Sequence, residues 1–461
     1  MSDSKKHDII HAALAEEVRR LKSERDVLQR RVDDPRDEVE ELKQSVRYQI
    51  GDEVVQALAA KKDIFKLPQR LHALYKEGKR NEHSRVESEC DNDESTVFTR
   101  PYTPNPHPDW LKSLEPLHEL EGQFTRIPIE QVTRPNVKVA AILDEFSWRC
   151  WQYEADFYTF TPDKWEEAVG ANRPDFLFVE STWLGLDGSW SAQIDSLGER
   201  PDLVGEHFVL PDLVDWCKGH DIPTIFYNKE DPPNFDRFIQ AAKLFDFVFT
   251  SDSNCIPKYK DVLHHNRVFA LPFAAQPRIH NSSPVGERNG SVCFAGAWYA
   301  QRHSQRQLGA DIVLSPAMDF DLIILDRMSR NPSPEHEWPE KYRPAVYNAL
   351  PYSIMVQAYK KFKVFLNINS VTDSPTMFSR RVFELLASGT PVISAPNKGI
   401  QTLLGDAVTI VKTEQETTKA ICRLLTDLGY WSAVSNEGIS KIQDAHTYSD
   451  RFDYILRMVV N

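Results

Sequence analysis

Apolar residues near the amino terminus recur at alternating spacings of four and three: Leu14, Val18, Leu21, Leu28, Val32, Val39, Leu42 and Val46. Charged residues fill the positions between them, and only Arg25 and Pro35 break the seam. This heptad pattern predicts a coiled coil with a break or a helical hairpin, since Asp34 and Pro35 suit the cap and first position of a second helix. Its use would be dimerisation or partner docking through residues 9–50; the plainer alternative is a solvated helix lying on the chain's own globular body. A further helical stretch to Gly78 completes a helical head over residues 1–78. Residues 79–135 are first polar (NEHSRVESECDNDES) and then proline-rich (RPYTPNPHPDW), which predicts a linker.

From Val137 onward short apolar runs alternate with amphipathic stretches: VKVAAIL (137–143), DFLFVE (175–180), PTIFYN (223–228), FDFVFT (245–250) and RVFALPF (267–273). A second series follows in SVCFAG (291–296), FDLIIL (320–325), VFLNIN (364–369), PVISA (391–395) and AVTIV (407–411). Continuous rather than alternating hydrophobicity marks strands buried on both faces of a parallel sheet, and the intervening lengths suit crossover helices. The prediction is an α/β chain with two Rossmann-like, doubly wound domains facing a cleft, 136–280 and 281–461, the last helix being a candidate to cross back to the first domain.

The chain of 461 residues carries 55 basic and 68 acidic residues, a net charge of −13. No domain-sized stretch is strongly basic, which argues against a nucleic-acid binder. No window has the roughly 18–20 apolar residues of a spanning helix, and MSDSKKHDII lacks the apolar core of a signal peptide, so the expectation is a soluble, cytoplasmic protein. Six cysteines (Cys90, Cys150, Cys217, Cys255, Cys293, Cys422) form no CxxC pair, so neither a zinc site nor a disulfide framework is expected.

Candidate chemistry sits at strand ends: Asp144, Glu180, and Glu230 with Asp231 in the NKEDPP run. A carboxylate there can serve as general base, although Asp and Ser at such turns also cap helices. In the second half Gly296 ends a strand, followed by Tyr299, Arg302 and Arg306; a glycine admits close backbone approach and arginines near a helix start suit a phosphate. Ser379, Arg380, Arg381 and Glu384 lie in SPTMFSRRVFELLASGTPVIS (374–394), where Glu384 is expected in the first part of a helix, able to accept hydrogen bonds from a ribose or sugar diol. Solvated arginines salt-bridged to Glu384 are the plainer reading. There is no GxxxxGK[ST] loop, so no P-loop nucleotidase is expected. Asp319-Phe320-Asp321 mimics a metal-binding DxD but precedes its strand, and no metal site is assigned.

RRVFELLASGTPVIS resembles the donor-site signature of GT-B glycosyltransferases of the glycosyl transferases group 1 class, in which a Glu-bearing helix precedes A-[CS]-G-x-P-V-I. The body from about Val137 resembles the CgeB-like, spore-maturation glycosyltransferases through VESTWLGLDGSW (179–190), YNKEDPPNFDRF (227–238), LPFAAQPRIH (271–280) and HTYSDRFDYIL (446–456). The resemblance covers roughly two thirds of the chain and implies metal-independent transfer of a sugar, without a cofactor. The nucleotide-sugar donor would sit on the second domain and a glycan or protein acceptor on the first, in a role such as polysaccharide biosynthesis. It further implies that Glu384 binds the donor's ribose or sugar, that Arg380 and Arg381 balance the diphosphate, and that Gly296 and Arg302 line the same pocket. Retaining family-4 enzymes carry another Glu eight residues earlier, where this chain has Thr376, which leaves retention or inversion open. An inactive GT-B scaffold, or a relative with epimerase or polyol-phosphate transferase chemistry, is the alternative.

Overall fold

The computed structural model describes residues 100–459 apart from 101, 121–125, 196, 198–207 and 300–303. The heptad segment and the helical head lie outside the described residues, as do Arg302 and Cys90.

The body contains two six-stranded sheets in which every pairing is parallel. The first comprises β1 (Arg134–Ile142), β2 (Ala155–Tyr158), β3 (Phe176–Glu180), β4 (Thr224–Asn228), β5 (Phe247–Thr250) and β6 (Val268–Ala270), in the order β2-β1-β3-β4-β5-β6. The second comprises β7 (Gly290–Gly296), β8 (Leu322–Asp326), β9 (Val346–Asn348), β10 (Phe362–Asn367), β11 (Val392–Ser394) and β12 (Thr409–Ile410), in the order β12-β11-β10-β7-β8-β9. All residues of β3, β4 and β8 are buried, because helices cover both faces of each sheet. The two doubly wound domains of the sequence reading are therefore the observed architecture. Strand order reverses at β1/β3 in the first sheet and at β7/β10 in the second, and the crevice beyond the strand ends at such a reversal is where open α/β sheets take ligands.

Two edge strands, β2 and β9, were not expected. RVFALPF and AVTIV contribute only short strands, Val268–Ala270 and Thr409–Ile410, because they pair on one side alone.

The proline-rich stretch is not a free linker. Its described part lies along the second domain: the Asn105 amide donates to the Val346 carbonyl (2.8 Å), Trp110 meets Phe362 edge-on (5.3 Å between centroids), and the Leu117 amide donates to the Ser353 carbonyl (3.0 Å). Prolines suit this course because an extended chain at a sheet edge needs few donors.

The last helix, Tyr448–Val459, packs on the first domain. Arg451 donates to the Pro272 and Phe273 carbonyls (2.8 and 3.0 Å), Arg134 reaches Asp453 (2.6 Å), and Phe452 enters a cluster with Trp151, Phe157 and Phe176. Cys150, Cys217, Cys255 and Cys293 are buried free thiols and Cys422 is exposed and free.

Candidate functional site

A cavity of about 340 Å³ opens at the β7/β10 reversal. Its walls are the end of β7 through Ala297, the end of β10 through Ser370, Ser379 and Arg381; Glu230 and Pro233 of the first domain close it from across the cleft. The site therefore takes residues from both sheets, with most of them on the second.

Gly296 ends β7 here, and a Cβ on it would lie 2.8 Å from the Phe294 ring. Just beyond, Tyr299 lines the wall and its hydroxyl accepts from Arg327 Nη2 (2.6 Å). Arg327 follows directly on β8 and is exposed to the cavity. Arg306 comes from the helix Ser304–Leu314, anchored on the carbonyls of Ile368 (3.0 Å) and Ala297 (3.3 Å). Burial lowers its guanidinium to about 10, which leaves it charged at neutral pH. Arg381 donates to the Ala295 carbonyl, while its Nε is buried without a hydrogen-bond partner among the described residues. Three guanidinium groups thus converge on one space.

Ser379 occupies the cap position of the helix Arg380–Ala387 but its side chain makes no capping bond; the Val382 amide donates to the Ser379 carbonyl (3.1 Å), and the helix start lies on the cavity wall through Ser379 and Arg381, where its dipole suits an anion. Asn369 accepts from the Ser379 amide (3.0 Å) through Oδ1, and its buried Nδ2 has no partner among the described residues. A buried donor without a partner is costly, and a ligand oxygen in the cavity would satisfy it. Glu230 is the only carboxylate on the described walls; its Oε2 accepts from Asn234 (3.2 Å).

The other residues singled out from sequence sit elsewhere. Asp144 and Glu180 meet at the β1/β3 reversal, where the Lys229 ammonium bridges them, contacting Asp144 and Glu180 (2.7 Å). Burial pushes the Glu180 carboxyl up, opposed by Ser147 and Arg380, and the Lys229 ammonium down, opposed by Glu230. Lys229 belongs to the NKEDPP run that the sequence favours for function, and the structure pairs it with Asp144 and Glu180. Asp231 is sealed inside the first domain, accepting from Asn228 (2.9 Å) and Thr250 (2.6 Å), and burial raises its carboxyl to about 7. It does not reach the cavity.

Glu384 and Arg380 also lie off the cavity wall. Glu384 falls in the second turn of its helix, 1% exposed, with Oε1 bound by Arg380 (2.8 Å) and Tyr352 (3.1 Å) and Oε2 by Tyr359 (2.9 Å). His280 extends the network: Nδ1 accepts from the Gln276 amide (3.0 Å), which leaves the proton on Nε2, 2.7 Å from the Tyr352 hydroxyl. Burial alone would raise the Glu384 carboxyl, but Arg380, His280, Arg381 and the Tyr359 hydroxyl hold it at about 2. Arg380 meanwhile lies over the ring of Phe146 from the first domain (4.7 Å). Thr376 joins the domains too, its Oγ1 accepting from the Ser253 amide and donating to the Ser251 carbonyl, both at 2.9 Å. These groups latch the two domains together.

No helix among the described residues is long and apolar enough to cross a membrane. Residues 308–457 match the family model described as glycosyl transferase-like, about a third of the chain. No curated protein matches in sequence. Similar solved structures include an alpha-glucosyltransferase in complex with UDP-glucose and DNA containing an abasic site, 10% identical, covering 70% of this chain and 99% of that chain with a TM-score of 0.49. Anabaena HepE in complex with UDP and glucose is 10% identical, covering 70% and 99%, with a TM-score of 0.42. Sucrose-phosphate synthase of Thermosynechococcus elongatus is 13% identical, covering 70% and 98%, with a TM-score of 0.41.

Proposed function

We propose that the chain is a glycosyltransferase that moves a sugar from a nucleotide-sugar donor, bound in the cavity at the β7/β10 reversal, to a glycan or protein acceptor held on the first domain. The observation that carries this reading is the convergence of Arg306, Arg327 and Arg381 with an uncapped helix start on one cavity, opposite a single carboxylate. The glycosyl transferase-like match over residues 308–457 supports it, since that span contains Arg327 and Arg381. The CgeB-like subtype and a role in polysaccharide biosynthesis are finer readings that the sequence motifs alone support.

Breaking the bond from the sugar to the diphosphate places negative charge on the departing phosphate oxygens. Fixed guanidinium groups and helix-start amides stabilise that charge without reorganising, so the protein's own groups can replace a divalent ion. Glu230 faces them across the cavity and is the carboxylate placed to take a proton from an acceptor hydroxyl as it attacks the anomeric carbon. Thr376, committed to the domain contact, leaves the position of the family's earlier Glu without a carboxylate. That favours inversion over retention, and it is also what an inactive GT-B scaffold would show. The two are separated by product analysis.

The test is calorimetric titration of the full chain with UDP, GDP, ADP and TDP. Binding of at least one is expected, weakened about tenfold or more in Arg327→Ala, because a hydrogen bond to a charged group contributes about 1.5–3 kcal/mol. Absence of binding to any of the four refutes the reading.

A further inference from the structure

Arg100 precedes both sheets in the chain, yet it bonds the residues on either side of Arg327, which lines the cavity. Arg100 Nη2 contacts the Asp326 carboxylate and donates to the Met328 carbonyl (3.2 Å). The two side chains are 7% and 0% exposed, so the pair is withdrawn from water. Asp326 is the last residue of β8, and its Oδ1 accepts from the Met328 amide (3.0 Å) to close the turn. Arg327 sits inside that turn. Its amide donates to the Gly296 carbonyl (2.9 Å) and its side chain projects to the cavity.

A fully buried carboxylate one residue away from an anion-binding arginine works against that arginine twice. Its field opposes a phosphate arriving in the cavity, and without another counterion it competes for the guanidinium itself. Arg100 pairs with Asp326, and a counterion on that carboxylate offsets both effects. We propose that Arg100 is a positioning residue for diphosphate binding: it neutralises Asp326 and thereby frees Arg327 for the ligand. This deepens the reading of the cavity as a nucleotide-sugar site and rests on it. It also makes the proline-rich segment ahead of the first domain a working part of the second domain's site.

The experiment is a double-mutant cycle in the full chain, titrated with whichever of UDP, GDP, ADP and TDP the wild type binds. Arg100→Ala is expected to weaken binding by about 2- to 30-fold, the range for residues that act on a site through one neighbour. In the Arg327→Ala background the same change is expected to add little, because the residue through which it acts is gone. Arg100→Lys should recover part of the affinity. The paired change Arg100→Met with Asp326→Asn, which removes both charges and keeps an acceptor for the Met328 amide, should bind within about threefold of wild type. It also serves as the test if Arg100→Ala does not fold. Unchanged affinity in Arg100→Ala, a fully additive loss in the double variant, or a large loss in the charge-free pair overturns the proposal while leaving the nucleotide site intact. A wild type that binds none of the four nucleotides overturns both.

Discussion

Glu384→Gln separates a latch from a ligand contact. In the structure the carboxylate is 1% exposed and balances Arg380 at 2.8 Å while accepting from Tyr352 and Tyr359. The amide keeps the shape but removes the charge, leaving the Arg380 guanidinium in a largely buried site without its counterion. Breaking a buried pair in this way costs about 3–5 kcal/mol. A second route gives a similar figure: a carboxyl moved from 4.5 to about 2 corresponds to about 3 kcal/mol at roughly 1.36 kcal/mol per pH unit. The folded carboxyl titrates below the unfolded one, so this stabilisation is complete above about pH 4.5 and is lost as pH falls toward 2. Urea unfolding followed by tryptophan fluorescence should therefore show the variant about 3–5 kcal/mol less stable at pH 7, with the gap narrowing at pH 3. Nucleoside diphosphate affinity, measured where the variant is folded, should change less than about threefold, since no ligand bond is lost. A stability loss below about 1 kcal/mol, or a gap independent of pH, refutes the latch. A variant as stable as wild type that has lost nucleotide binding would instead make Glu384 a donor contact.

Asp231→Asn should change how stability varies with pH. The folded carboxyl is raised from 3.8 to about 7, so its contribution is full below about pH 4 and is lost as pH rises toward 7; relative to the Asn variant the wild type should lose of the order of 4 kcal/mol over that window in urea titrations at several pH values. A parallel pH dependence in the two proteins counts against this. Gly290→Ala puts a Cβ 2.3 Å from the Phe362 ring and 3.0 Å from Trp110, and since Phe362 is fully buried, a destabilisation of about 1–3 kcal/mol is expected in the same assay.

The strands legible in the sequence are those whose burial is written into consecutive residues. FLFVE and LIILD are short, continuous apolar runs that suit strands covered on both faces, and they are β3 and β8. The edge strands β2 and β9 are three or four residues long and owe their conformation to a neighbour, which no local pattern records. The stretch from Arg100 to Leu117 reads as linker because prolines dominate it, and its docking depends on Trp110 and Asn105 finding partners more than 200 residues later. Within the site, Gly296 and Arg381 were visible because a glycine at a strand end and a basic residue at a helix start have a local rationale. Arg327 stands at an equally plain position, directly after an apolar strand, and applying the strand-end rule to the second domain would have found it. Of the bonding of Glu384, the salt bridge to Arg380 was the plainer reading of the sequence and is observed (2.8 Å), whereas His280, Tyr352 and Tyr359 come from separate elements, and only the fold assembles them.

The last helix gives synthesis of this chain a particular order. Phe452 covers Trp151, Phe157 and Phe176, so the first domain is short of one wall until the helix Tyr448–Val459 has been made, roughly 270–300 residues later. At about 5–20 residues per second, that aromatic face waits some 15–60 s on a growing chain. The first domain is encoded first and finished last.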